Sequence, residues 1–178
     1  EWLDTPAGWT CEILSGTTNW VQATNGLTGN PAGAHGGRYL ARLSIGVVAS
    51  ATNRLITPAM NLAGYSDTTL TFWHAQAERS GDQDFLRVYY RTSAVSSWVQ
   101  LAEYTTNVAA WTERTLALPN PSENYFVAFE GVAQNGNGVC LDDVAVDGTP
   151  PASLSYPDWS AVPGQKYWYW VRATNSTS

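Results

Sequence analysis

The sequence predicts an all-β protein, folded as an antiparallel two-sheet β-sandwich of the jelly-roll type. Short stretches rich in β-branched and aromatic residues recur along the chain, and clusters of Gly, Pro, Asn and Ser separate them. Helical periodicity is nearly missing, since the one sizeable apolar run without strand character, residues 40–53, is broken by Gly46. About ten short strands therefore make up the predicted fold.

The predicted strands follow one another at short intervals, as antiparallel neighbours joined by turns do. In chain order they are WTCEIL, NWVQAT, RYLARLS, NRLITPAM, TTLTFWHAQA, DFLRVYYRT, WVQLAEYT, WTERTLAL, NYFVAFEGVA and VCLDDVAV.

Period-2 alternation along these strands predicts which side chains share a face. In LTFWHAQA, Leu70 and Phe72 lie on one face and Trp73 on the other. The same alternation in FLRVYYR and YFVAFEG turns two arginines, a tyrosine and a glutamate away from the core. If these strands are neighbours, one face carries a predicted ligand-binding set: Trp73, Arg87, Tyr89, Arg91 and Glu130.

Composition excludes some classes of partner. With 178 residues there is room for one domain and a short appendage. The net charge of −6 argues against a nucleic-acid partner, and no run of about 18 apolar residues is present to insert into a membrane. Lysine occurs once, at Lys166, while nine Trp and nine Tyr are present. Such a composition is typical of secreted β-proteins and of sugar binders.

The paired prolines of DGTPPAS predict a domain boundary. We expect a binding module over residues 1–148, a Pro-rich linker over residues 149–153 and a tail over residues 154–178. The tail sequence PGQKYWYWVRATN resembles the last strands of a fibronectin type III domain, but the tail is too short for a core of its own. It is a truncated neighbour, an extra strand on the main body, or a segment without its partner.

Several segments in a fixed order carry a wider resemblance. They are PAGWT, GGRYLARL, NRLITPAMNLAGYSDTTLTFWHA, DFLRVYYRT, YFVAFEG and LDDVAVDG. Over residues 1–148 they resemble the bacterial MAM-like jelly rolls known as cleaved-adhesin or choice-of-anchor J domains. The resemblance implies a non-catalytic module of a secreted, multidomain bacterial protein, with structural calcium where the chain ends meet.

The LDDV segment contains the clearest candidate for a metal ligand. Strand parity places Asp142 on the core side with Val144 and Val146, and Asp143 on the outside. A carboxylate on an apolar face costs several kcal/mol, of the order of 3 or more, unless it is paired or metal-bound, which favours a hard cation such as Ca²⁺. The alternative is that Asp142 accepts backbone hydrogen bonds at a strand end.

The resemblance implies that an N-terminal carboxylate, Glu1 or Asp4, completes the calcium site with Asp142, and that Asp143 is a second ligand or a solvated charge. The ERSGDQDF loop, residues 78–85, offers D-x-D spacing that could hold calcium, although a solvated turn is the simpler interpretation.

Two cysteines, Cys11 and Cys140, lie near the two ends of the main body. In an oxidising compartment they could form a disulfide between the first and last strands. The alternative is a pair of buried thiols.

No catalytic constellation stands out, so an enzyme is not predicted. His35 and His74 lie in no metal-binding or nucleophile motif, and no GxSxG elbow is present. Glu78 and Glu130 could be imagined as a glycosidase pair, but nothing in their setting marks them. His74 is predicted to be hydrogen-bonded and partly buried.

Three functions remain open. The first is a carbohydrate-binding module of a secreted enzyme, using the predicted face or an aromatic edge from Trp20, Trp98 and Trp111. The second is an adhesin-type module that binds a host or matrix protein, and the third is a structural spacer between neighbouring domains.

Overall fold

The computed structural model describes residues 8–45, 50–152, 162 and 164–166. Ten β-strands and one short 3₁₀ turn account for the regular structure there, and none of these residues is α-helical. The strands are β1 (Thr10–Ser15), β2 (Val21–Ala23), β3 (Leu40–Leu43), β4 (Ala51–Ile56), β5 (Ser66–Gln76), β6 (Phe85–Arg91), β7 (Val99–Tyr104), β8 (Val108–Ala117), β9 (Phe126–Ala133) and β10 (Val139–Thr149). No helix in the described part is long and apolar enough to cross a membrane.

The strands form two five-stranded antiparallel sheets. Sheet A has the order β1-β4-β9-β6-β7, and sheet B has the order β2-β3-β10-β5-β8. The predicted sandwich is confirmed, and each of the ten predicted strands is present. Because β9 is central in sheet A and β10 is central in sheet B, the end of the domain supplies the middle strand of both sheets.

The two sheets pack closely around Trp20, which is fully buried. The indole Nε1 donates a hydrogen bond to the backbone carbonyl of Asn53 at 3.0 Å, so the polar end of the ring is satisfied inside the core. Gly131 makes room for this ring, because a Cβ there would lie 2.6 Å from Leu43 Cδ2 and 3.0 Å from Trp20 Cζ2. Trp20 is thus a core residue rather than part of an aromatic binding edge.

The two cysteines lie in different sheets. Cys11 is in β1, at the edge of sheet A, and packs against the main core. Cys140 is in β10, at the centre of sheet B, and packs with Leu40 and Ala75 on the outer side of that sheet. Both are free, so the predicted disulfide is wrong. Burial raises the pKa of the Cys140 thiol to about 12, so it is protonated at neutral pH.

His74 is fully buried beside Gln76, as predicted for a hydrogen-bonded residue of the core face. The Gln76 amide nitrogen donates to the carbonyls of Tyr104 and Thr106, both at 2.9 Å, so its oxygen faces His74 Nε2 at 2.9 Å. We therefore assign the proton of the neutral ring to Nε2. Burial, with the nearby Arg114 charge adding to it, lowers the pKa of His74 to about 4.

We expect two free thiols in the unfolded protein, titrated without reductant, and a melting temperature that reductant does not change. In the native state the Cys140 thiol should not react with a thiol reagent, because it is buried and protonated. Fewer than two free thiols, or a melting temperature that falls by several degrees in reductant, would contradict this.

His74 should make stability depend on pH. Its pKa is near 6.5 when unfolded and about 4 when folded, so the unfolded chain binds a proton in this range that the folded chain does not. The free energy of unfolding should therefore fall as pH drops from about 6.5 to about 4, by roughly 3 kcal/mol at most. Denaturant melts across this range should show a smaller slope of the free energy of unfolding against pH for His74→Gln than for the wild type. Equal slopes in the wild type and His74→Gln would refute the assignment.

Candidate functional site

The predicted ligand-binding residues lie on two different sheets. Arg87, Tyr89 and Arg91 are in β6 and Glu130 is in β9, all on the outer face of sheet A. Trp73 is in β5, on the outer face of sheet B. The prediction of a single face is wrong because β5 pairs with β8 and β10, not with β6 or β9. Four of the five predicted residues do share one face.

A row of alternating charges crosses the outer face of sheet A. Each of the five strands contributes one residue at matching register, so that neighbours in the row are direct cross-strand partners. In order across the sheet they are Glu12, Arg54, Glu130, Arg87 and Glu103.

Glu130 is the central residue of this row and its side chain is only 5% exposed. Arg54 contacts one carboxylate oxygen through Nε and Nη2, each at 2.9 Å, and Arg87 Nη1 contacts the other at 3.1 Å. Arg87 Nε also donates to Glu103 at 2.6 Å, and Arg54 Nη1 lies 3.5 Å from Glu12. A carboxylate that would be costly to bury alone is thus held between two guanidinium groups.

Two aromatic rings lie beside this charged row. The Arg54 guanidinium carbon is 5.1 Å from the ring centroid of Tyr89 and 5.8 Å from that of Trp98. The corresponding carbon of Arg91 is 4.4 Å from the Trp98 centroid. Both rings are half-buried. We call these residues the sheet A platform: Arg54, Arg87, Tyr89, Arg91, Trp98 and Glu130.

The sheet A platform combines flat apolar surface with hydrogen-bonding groups. Partial burial, together with the Glu130 charge, raises the pKa of Tyr89, so its hydroxyl stays protonated and donates to Glu130 Oε1 at 3.5 Å. Arg87 uses only Nε and Nη1 toward carboxylates, which leaves N–H donors for another acceptor. Such a surface can stack against a flat-faced ligand and bind its hydroxyl or carboxylate groups.

Sequence reasoning missed Arg54 and treated Trp98 only as an alternative. The alternation in NRLI turns Arg54 away from the buried Leu55, but it does not reveal that β4 pairs with β9. Trp98 is the first residue of the predicted strand WVQLAEYT, but in the structure it lies just before β7, where strand parity no longer decides which face a side chain occupies.

Trp73 on sheet B is covered by the chain's own loop. The His35 ring stacks on it with centroids 3.6 Å apart and planes 12° from parallel. Trp111 lies edge-on to His35 and donates its Nε1 hydrogen to the Gly33 carbonyl at 3.0 Å. The indole face of Trp73 that was predicted to receive a ligand is therefore already in contact with an imidazole.

The LDDV segment contains a β-bulge that strand parity did not anticipate. Between Asp142 and Ala145, β10 has one more residue than the paired segment of β5. Asp143, within this bulge, has a φ of 45°. Leu141 and Val144 consequently both face the core, while Asp142 points to the outer face of sheet B. The predicted core-side position of Asp142 is wrong, whereas Asp143 is exposed as predicted.

The Asp142 carboxylate accepts three backbone hydrogen bonds, from His35 N at 2.8 Å, Gly36 N at 3.1 Å and Asp143 N at 2.9 Å. Asp143 in turn contacts His35 Nδ1 at 2.7 Å. Backbone N–H donors face these oxygens, which agrees with the alternative interpretation of Asp142.

Only part of the predicted calcium site, Asp142 and Asp143, lies within the described residues. Within them, no group of three or more His, Cys, Asp or Glu side chains could hold a metal ion. The other predicted ligands, Glu1 and Asp4, lie outside the described residues, so the calcium site stays a prediction. The tail predicted over residues 154–178 lies almost wholly outside them as well.

In the ERSGDQDF loop, Asp84 is buried and holds a second loop, residues 134–138, which precedes β10. Its carboxylate accepts backbone hydrogen bonds from Gln134 at 2.5 Å, Gly136 at 3.0 Å and Gly138 at 2.7 Å. This residue is a structural clamp and not part of a solvated turn. The remaining acids of the loop, Glu78 and Asp82, are exposed.

A cavity of about 300 Å³ opens beside the end of β3. Its described lining is mainly apolar, with three polar side chains near the mouth. The lining residues are Trp9, Gln22, Tyr39, Leu40, Ala41, Leu55, Leu141, Asp142, Asp143 and Val144.

Solved structures share this fold at low sequence identity. The K3 cleaved adhesin domain of Lys-gingipain from Porphyromonas gingivalis matches with a TM-score of 0.59 and 22% identity, over 80% of this chain and 92% of that one. TmCBM61, solved in complex with β-1,4-galactotriose, matches with a TM-score of 0.55 and 14% identity, over 80% and 89%. The CBM22-1 xylan-binding domain from Paenibacillus barcinonensis matches with a TM-score of 0.51 and 11% identity, over 83% and 90%.

These likenesses establish the fold, and no curated protein matches the sequence. The family model of the MAM domain (meprin/A5/mu) matches residues 2–150, nearly the whole of the predicted module and far more than half of the chain. The sequence resemblance is thereby confirmed: the chain belongs to the MAM domain family.

Proposed function

We propose that this chain is a non-catalytic, extracellular module that binds a glycan on the outer face of sheet A. The observation that carries the proposal is the sheet A platform, in which three arginines, one buried carboxylate and two aromatic rings meet. A sugar presents an apolar ring face and a rim of hydroxyl groups. The platform offers a counterpart to each, rings for the face and planar polar groups for the rim.

Preorganisation supports this site over a chance cluster of surface residues. The buried Glu130 fixes Arg54 and Arg87, and Arg54 and Arg91 contact the rings of Tyr89 and Trp98. Side chains already fixed before binding lose little rotamer freedom when a ligand arrives, so more of the contact energy appears as affinity.

The alternatives within the described residues are weaker glycan sites. On sheet B the Trp73 face is stacked with His35, whose loop is held by Asp142. On sheet A the groups over Tyr89 and Trp98 are arginine side chains of the platform, which can themselves bind a ligand. Half of the residues that line the cavity beside β3 are aliphatic, and its carboxylates, Asp142 and Asp143, already have hydrogen-bond partners.

The solved relatives are consistent with a binding function. One is an adhesin domain, one was solved with a bound galactotriose, and one is a xylan-binding domain. We extend from them to this chain only the role of a secreted binding module.

The decisive variants are two tryptophan substitutions on opposite faces of the sandwich. Trp98→Ala should weaken retention on insoluble galactan or xylan, or on the best glycan of an array, by at least about tenfold, because it removes the stacking ring. Trp73→Ala is the matched control and should keep wild-type affinity, since that ring contacts the chain's own loop. Affinity should be measured well below the melting temperature of both variants.

If binding is lost in Trp73→Ala and kept in Trp98→Ala, the assignment to sheet A is wrong and the glycan binds on sheet B. If wild-type protein binds no glycan tested, the glycan function is wrong and the adhesin-type alternative takes its place.

We also propose, as the resemblance implies, that structural calcium is held where the chain ends meet, by Asp142 together with Glu1 or Asp4. EDTA should then lower the melting temperature while glycan affinity at low temperature is unchanged, because the described platform contains no metal ligand group. An identical melting temperature with and without EDTA would eliminate structural calcium.

A further inference from the structure

We propose that the glycan carries a carboxylate, as a uronate residue does, and that Arg91 pairs with it. This inference rests on the proposed glycan function and narrows it to a chemical class of ligand. It starts from the charges on the outer face of sheet A, where three arginines lie close together.

Two of these three arginines are neutralised by neighbours and the third is not. Arg54 contacts Glu130 and Glu12, and Arg87 contacts Glu130 and Glu103. In the described part of the chain Arg91 forms neither an ion pair nor a hydrogen bond, and its Nε is buried without a partner. The positive charge of Arg91 is therefore left without a carboxylate partner among the described residues, unlike the charges of Arg54 and Arg87.

The setting of Arg91 fixes its guanidinium for recognition. The guanidinium carbon lies 4.4 Å from the centroid of Trp98 and 4.7 Å from that of Phe126. Aromatic rings satisfy the positive charge in part but accept no strong hydrogen bond, so the N–H groups keep their donor capacity. A planar guanidinium held in this way matches a carboxylate, which accepts two parallel hydrogen bonds.

The position of Arg91 suits a charged group on a stacked sugar. Trp98 contacts Arg91 and belongs to the same platform as Tyr89, which is two residues before Arg91 on the same face of β6. We therefore place the carboxylate of a sugar bound at the platform against the guanidinium edge of Arg91. The net charge of −6 disfavours unspecific binding of polyanions, so a preference for uronate would report on this local contact.

The test uses ligand pairs that differ only in charge. Trigalacturonate and glucuronosyl-xylotetraose are each compared with their carboxyl methyl esters by calorimetric titration, with β-1,4-galactotriose and xylotetraose as neutral probes. For the wild type we expect at least one acid form to bind about tenfold more tightly than its ester, the effect of a charge-assisted hydrogen-bonded pair. Arg91→Gln should remove this preference, and Arg91→Lys should keep only part of it, because lysine lacks the planar fork.

Arg38→Gln is the matched control. Arg38 also lies over an aromatic ring, with its guanidinium carbon 5.2 Å from the Tyr39 centroid, but outside the platform. This variant should retain the full preference for the acid. Affinity for a neutral probe or an ester, together with the melting temperature, verifies that each variant is folded.

The inference about Arg91 would be overturned if neither acid bound more tightly than its ester, or if the preference survived Arg91→Gln or was lost in Arg38→Gln. In that case, binding of the esters or neutral probes would leave the glycan function standing. If the acids, esters and neutral probes all fail to bind wild-type protein, the proposed function and this inference are both wrong.

Discussion

The buried carboxylate of Glu130 is the constraint on which the outer face of sheet A depends. A charge with 5% of its side chain exposed is tolerated only because Arg54 and Arg87 pair with it from the strands on either side. The pairing needs β4, β9 and β6 in one register, and the same register places Tyr89 and Trp98 beside the two guanidinium groups. Removing one partner would leave an uncompensated buried charge, at a cost of about 3–5 kcal/mol.

The outer faces of the two sheets use similar residues for different purposes. On sheet A, aromatic rings and arginines lie at the surface, with a carboxylate beneath them. On sheet B, Trp73 is covered by His35, and the loop that carries His35 is held by backbone hydrogen bonds to Asp142. The difference arises from the loop that carries His35, which covers Trp73 and packs near Cys140 on sheet B. Sheet A is therefore the candidate ligand surface.

Strand number and fold class could be predicted from the sequence, because alternation and turn residues are local signals. The candidate site was only partly predictable, since parity says which side chains share a face within one strand but not which strands share a sheet. Trp73 was therefore grouped with Arg87 although β5 and β6 lie in different sheets. Asp142 was misplaced because a bulge at Asp143 shifts parity by one residue, and no local residue pattern announces it.

Nuclear magnetic resonance can test, without any substitution, whether the glycan binds on the outer face of sheet A. A glycan bound by the wild-type protein should shift the indole N–H resonance of Trp98 and the backbone amides of β6 and β9 around Glu130. The indole resonance of Trp73 should stay in place, because its ring is stacked with His35 on the opposite sheet. Shifts at Trp73 and Trp111, with none at Trp98, would contradict the assignment of the ligand surface to sheet A.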